Sequence, residues 1–106
     1  MAIERARAAH GPGRDVARRC TVKVTIVNRL GLHARPAMAF VDCASGFASD
    51  ITVRKEDTEV DGKSIMQMMM LAATRGTELV VTAAGDDAER ACEAIEKLVA
   101  SGFEEE

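Results

Sequence analysis

The sequence predicts one α+β domain of two layers, with three helices on one face of a four-stranded, largely antiparallel sheet, in the order β-α-β-β-α-β-α. Three observations carry this expectation. Segments of period two alternate with segments of helical period from Thr21 onward. Glycines at 31, 46, 62, 76, 85 and 102 punctuate their boundaries. Aromatic residues are limited to Phe40, Phe47 and Phe103, so the core is expected to be aliphatic. A chain of 106 residues suffices for one such domain and leaves no room for a deep substrate cavity as well.

Each element has its own signal. Val22, Val24 and Ile26 alternate with Thr21, Lys23 and Thr25, which is strand period. Asn28 to Gly31 reads as a loop. Pro36 suits the first turn of a helix, where its missing N–H has no partner to lose. Ala37, Phe40, Val41 and Ala44 then follow at helical spacing, and Gly46 ends that helix. Asp50 to Lys55 is a second strand through Ile51 and Val53. Glu56-Asp57 makes a tight turn, Thr58 to Asp61 returns, and Gly62 breaks the strand. Ser64 is the expected N-cap of a short helix from Ile65 to Ala73, closed by Gly76. Glu78 to Ala83 is the last strand. After Gly85, Asp86 or Asp87 caps a third helix, Ala88 to Ala100, with Ala88, Cys92, Ile95 and Val99 on one face. The Glu104-Glu105-Glu106 end is expected to be solvated. The same order of elements fits a ferredoxin-like regulatory domain with an added helix, so pattern alone selects no function.

Charge is unevenly spread. Residues 1–19 hold five arginines against Glu4 and Asp15, whereas the remainder holds nine basic and fifteen acidic residues. The first 19 residues, with Gly-Pro-Gly at 11–13, show no clean period and read as a disordered N-terminal extension. The domain is expected over 20–106. An acidic body without Tyr or Trp is a poor nucleic-acid binder, since phosphate neutralisation needs cations and base stacking needs aromatics. No apolar run approaches the roughly 20 residues that span a bilayer, and none follows the N-terminal arginines as in a secretory signal, so membrane insertion is not expected. Cys20, Cys43 and Cys92 are odd in number and share no CxxC spacing, which points to reduced thiols and a cytoplasmic location. Cys43 and Cys92 read as small core residues and Cys20 as a free thiol at the domain edge. His10 lies in the extension and no cysteine has ligand spacing to His33, so no metal is expected.

Chemistry concentrates in Gly31-Leu32-His33-Ala34-Arg35-Pro36. This run puts a histidine at the mouth of a helix and an arginine two residues on. The unpaired N–H groups and positive dipole end of a helix N-terminus form an anion site, for which a phosphoryl group is a natural occupant. Arg35 adds a planar, permanently charged fork that matches phosphate oxygens. A neutral imidazole offers a ring nitrogen as nucleophile near neutral pH. By itself a lone histidine before a helix is more often a plain surface residue.

The neighbouring residues change that balance. Gly31-Leu32-His33-Ala34-Arg35-Pro36-Ala37 resembles the active-site signature of HPr, the histidine-containing phosphocarrier family of the phosphoenolpyruvate-dependent phosphotransferase system. The resemblance continues through Ser49-Asp50-Ile51-Thr52-Val53, Gly62-Lys63-Ser64-Ile65-Met66, and Leu71 to Gly76-Thr77-Glu78, covering about residues 21–101. It implies the family's open-faced β-sandwich. It also implies that His33 takes a phosphoryl group at Nδ1 from enzyme I and hands it to the A component of a sugar permease. The protein would then be a carrier rather than an enzyme. Arg35 would steady the phosphoryl group, with no cofactor. Ser64 matches a serine that a dedicated HPr kinase/phosphorylase modifies in many members, and a monomer is expected.

The second helix reads Ile65-Met66-Gln67-Met68-Met69-Met70-Leu71, too apolar to bury on every side. Met68 and Leu71 are expected in the core. Ile65, Met66 and Met69 are expected to form an exposed patch, where flexible thioethers suit several partners. The family's partner-docking patch lies in this region. Where enteric members carry basic residues on the first helix, this chain has Asp42 and Ser45. Three functions stay open: a sugar-system carrier, a carrier in a regulatory, nitrogen-type phosphorelay, and a small non-catalytic regulatory binding domain.

Overall fold

The computed structural model describes residues 18–104. Its strands are β1 (Arg19–Thr25), β2 (Asp50–Lys55), β3 (Thr58–Asp61) and β4 (Glu78–Ala84). Its helices are α1 (Ala34–Ser45), α2 (Ile65–Met70) and α3 (Ala88–Ala100), followed by a short 3₁₀ turn, Gly102–Glu104. Of the expected extension at 1–19, residues 1–17, with His10, lie outside the described residues, as do Glu105 and Glu106, whereas Arg19 already belongs to β1.

The four strands stand in the order β1-β4-β2-β3. Every neighbouring pair is antiparallel. The last strand in sequence is thus central in the sheet. Its register aligns Val22, Val81, Val53 and Val60 in one row across all four strands. Because side chains alternate between faces, that row and the row of Cys20, Ala83 and Ile51 point the same way, into the core. Thr21, Thr82 and Thr52 form a row on the opposite face, where the Thr21 and Thr82 hydroxyls lie 3.2 Å apart. The three helices cover the valine face. Phe40 and Ala44 of α1 and Cys92, Ile95 and Val99 of α3 are buried there, and α3 lies over β1 and β4.

Several expectations are corrected. Cys20 is not an edge thiol: it is buried in the core, and the Cys92 thiol donates to its carbonyl oxygen at 3.3 Å. The inward alternation of β1 already holds at its second residue, which is why. The second helix stops at Met70, short of Ala73 and well before Gly76. Leu71 is its C-cap and Ala72 adopts φ +50°, which turns the chain out of the helix. The carbonyl of Leu71 is held by the Lys55 ammonium at 2.9 Å, and that of Ala73 accepts from Leu32 N–H at 2.8 Å. Tertiary partners thus satisfy the carbonyls that follow the helix end. Asp87 occupies the N-cap of α3 but makes no capping hydrogen bond there. Phe103, left without a role by its sequence context, packs into the core from the 3₁₀ turn with φ +60°.

Candidate functional site

His33 is the N-cap of α1, with extended backbone (φ −90°, ψ −165°) and a half-buried side chain. Its position is set by the five residues before it. Gly31 has φ +75°, a left-handed conformation that favours glycine. A Cβ at this position would stand 2.6 Å from the Ala73 carbonyl oxygen, so space and backbone angle both demand glycine. Leu32 is buried as an anchor and donates its N–H to that same carbonyl. Asn28, also buried, donates from Nδ2 to the Gly31 carbonyl at 2.6 Å, and the His33 N–H bonds this oxygen at 3.0 Å. Asn28 was legible in sequence only as a loop residue. A polar side chain three residues before a glycine is too common a pattern to signal such a brace.

Behind His33, α1 is fixed by Pro36, Ala37 and Phe40, all buried. The first intrahelical bond runs from Ala37 N–H to the His33 carbonyl at 2.9 Å. Pro36 has no N–H to offer, so Ala34 and Arg35 supply the backbone donors that lack an intrahelical acceptor in this turn. No acidic residue occupies the turn. Arg35 lies on it with an exposed side chain. His33, Arg35 and two backbone donors thus share one end of a 12-residue helix, and its dipole favours an anion there.

Two loops meet at this end. Ile26 N–H bonds the Thr77 carbonyl at 2.9 Å and Gly76 N–H bonds the Ile26 carbonyl at 2.7 Å, while α1 packs on α2. Segments 26–41 and 62–77 are thereby joined. Together they carry Arg29, Arg35, Lys63 and Arg75 and no Asp or Glu. Every acidic residue of the domain falls outside them.

Ser64 caps α2: its hydroxyl accepts from Gln67 N–H at 3.2 Å. Gln67 Oε1 in turn accepts from Asp61 N–H at 2.9 Å, and the Lys63 ammonium bonds the Phe47 carbonyl at 2.8 Å. Of the methionines on α2, Met68 is buried, as is Leu71 just beyond the helix. Met66 and Met69 are exposed, and Met70 joins them. Ile65 is half-buried against the core, so it forms the inner margin of the patch rather than its crest. Leu30 and Met38 are exposed as well.

Among the described residues no helix is long and apolar enough to cross a membrane. No group of three or more His, Cys, Asp or Glu side chains there could hold a metal ion.

Residues 20–101 match the family model described as the PTS HPr component phosphorylation site. The phosphocarrier protein HPr of Neisseria meningitidis is 44% identical over 82 residues, which cover 77% of this chain and 92% of that protein. The phosphocarrier protein NPr of Escherichia coli is 38% identical over 89 residues, 81% of this chain and 99% of the relative. Among solved structures, an HPr from Thermoanaerobacter tengcongensis superposes with a TM-score of 0.79 at 45% identity, covering 82% of this chain and 98% of that one.

Proposed function

Since this chain belongs to the HPr family of phosphocarriers, we propose that it receives a phosphoryl group on His33 from enzyme I and passes it to the A component of a sugar permease. The observation that carries this reading is the placement of His33 at the cationic mouth of α1, with Arg35 and two backbone donors on the same turn. A ring nitrogen of the neutral imidazole attacks the phosphorus of the donor. The donor's bond to phosphorus breaks as the new N–P bond forms. The helix end and Arg35 then offset the charge that arrives. The phosphoryl group leaves by the reverse chemistry, which is why the protein acts as a carrier and not as a catalyst with a product of its own.

Partners approach over the surface joined from segments 26–41 and 62–77. Its cations suit an acidic partner face, and Met66, Met69 and the margin at Ile65 supply adaptable apolar contact. Ser64 sits at the edge of that surface. A dedicated kinase acting on it would regulate docking. All of this chemistry fits a cytoplasmic monomer.

Incubation with phosphoenolpyruvate and enzyme I tests the reading. One acid-labile phosphoryl group is expected on the protein and none on His33→Ala, whose melting temperature stays near that of the parent. Labelling retained in His33→Ala removes the assignment. The NPr relatives favour a second route, a nitrogen-type regulatory relay without transport. Transfer from the phosphorylated protein to a sugar-specific A component, set against transfer to a regulatory A-type protein, separates the two routes.

A further inference from the structure

The six residues of α2 include four methionines, and they divide sharply by exposure: Met68 is 0% exposed, whereas Met66, Met69 and Met70 are 73%, 44% and 71% exposed. We propose that Met66, Met69 and Met70 form an oxidant-sensitive surface, which hydroperoxides convert to methionine sulfoxide and thereby close to the phosphoryl donor. The docking half of this inference rests on the phosphocarrier reading above.

The step is an oxygen transfer. A thioether sulfur attacks the outer oxygen of the hydroperoxide and the O–O bond breaks. The sulfur loses two electrons and keeps one oxygen as the sulfoxide. The other oxygen takes the hydroperoxide proton and leaves as water or an alcohol.

Cysteine is the usual first target of such oxidants, but only as its thiolate. This protein disfavours the thiolate at Cys92 and Cys43 and shuts Cys20 off from solvent. Burial pushes the Cys92 thiol up to about 12, with the Cys20 thiol beside it adding to the effect. Burial also raises Cys43. Cys20 is buried in the core. A thioether has no proton to lose and needs only access, which Met66 and Met70 have. Access therefore favours attack on the exposed thioethers of Met66 and Met70.

Oxidation leaves the fold in place, because the three side chains stand off the core while Met68 inside it is shielded. The surface changes character. Each sulfoxide is a strong hydrogen-bond acceptor that holds water, and a partner must strip that water to make apolar contact.

The test uses the full chain treated with hydrogen peroxide and then freed of it. Peptide mass mapping is expected to find one added oxygen on Met66 and Met70 first, then on Met38 of α1 and Met69, with Met68 unchanged. Initial phosphoryl uptake from enzyme I is expected to fall by about tenfold, the scale of one poorly compensated polar group at an interface. Dithiothreitol, which reverses thiol oxidation, should not restore it, whereas a methionine sulfoxide reductase should. In the Met66→Leu/Met69→Leu/Met70→Leu variant, built on a Met38→Leu background because Met38 of α1 is also exposed, treated protein compared with its own untreated form should show a ratio near unity.

Full uptake by protein oxidised at all three methionines overturns the inference. So does rescue by dithiothreitol, or an equal loss in the triple variant. If untreated protein accepts no phosphoryl group, the carrier reading falls instead. The mapping still judges the oxidation itself, and Met68 oxidised as fast as Met66 refutes it.

Discussion

The carboxylate of Asp87 accepts the Ser49 hydroxyl at 2.5 Å, so the first residue before α3 is spent on the loop that leads into β2 rather than on its own helix. The same carboxylate takes the N–H groups of Ala48 at 2.9 Å and Ser49 at 3.0 Å. Ser49 is buried, and Gly85 passes so close that a Cβ there would stand 2.8 Å from the Ser49 Cα. Three donors converge on one carboxylate at the end of the domain away from His33.

This convergence has a pH signature. The Ser49 hydroxyl first, and the Ala48 and Ser49 N–H groups with it, hold the Asp87 carboxyl at about 2, below its ordinary 3.8. A group whose pKa is lower when folded contributes stability above its unfolded value and loses it as pH falls through the folded one. The melting temperature should therefore drop between about pH 4 and pH 2, and Asp87→Asn should flatten that step while lowering stability at neutral pH. Thermal melts across this range check it; an unchanged acid step in Asp87→Asn would assign the step to other carboxylates.

Gly31→Ala addresses the loop that leads into His33. The left-handed backbone and the 2.6 Å approach to the Ala73 oxygen both oppose a methyl group. A cost of about 1–3 kcal/mol is expected, and the strain falls two residues from His33. Phosphoryl uptake should slow even at temperatures where the variant is fully folded by circular dichroism. Wild-type uptake in a folded Gly31→Ala would show that the loop shape is not needed for transfer.

Arg35→Lys keeps the charge and removes the fork. The side chain is exposed, so the melting temperature should hold. Transfer should slow in both directions, each tenfold loss corresponding to about 1.4 kcal/mol of transition-state stabilisation. Rapid-quench measurements of uptake and donation check this. Equal rates in both directions would remove Arg35 from the phosphoryl site.

Substitution separates the cap that Ser64 forms from the regulatory role proposed for it. Ser64→Ala loses the bond from Gln67 N–H and should cost about 1 kcal/mol, with little effect on phosphoryl uptake. Ser64→Asp keeps a cap and places an anion beside the exposed Met66, next to Lys63 and Asp61, whose carbonyl accepts the Ser64 N–H at 3.1 Å. It should raise the apparent KM for uptake from enzyme I while the fold stays intact. Steady-state kinetics of both variants decide the matter: if both match the parent, Ser64 is a cap alone.

The sequence by itself determined the identity and order of the elements, because strand and helix periods are local and each boundary carries a local marker. It also singled out the residues proposed to carry the chemistry. His33, Arg35 and Pro36 lie in one run whose spacing is a property of one helix turn, and the Ser64 cap is set within three residues of Gln67. Everything that depends on residues far apart was decided by the tertiary structure. Asp87 stands beside a helix start, yet its carboxylate faces Ser49, 38 positions earlier. Just past the end of α2, Lys55 and Leu32 claim the carbonyls at Leu71 and Ala73. Cys20 became core because α3 closes over β1. The basic surface exists because the loop pairing of Ile26 with Gly76 and Thr77 joins two acid-free segments. Helical period marks Met68 and Leu71 as one face, but only the packed neighbours fix how far that face extends. They leave Met70 outside and draw Ile65 halfway in. Local free energies of capping and backbone shape are written in consecutive residues, whereas burial and charge juxtaposition arise only when distant segments compete for the same space.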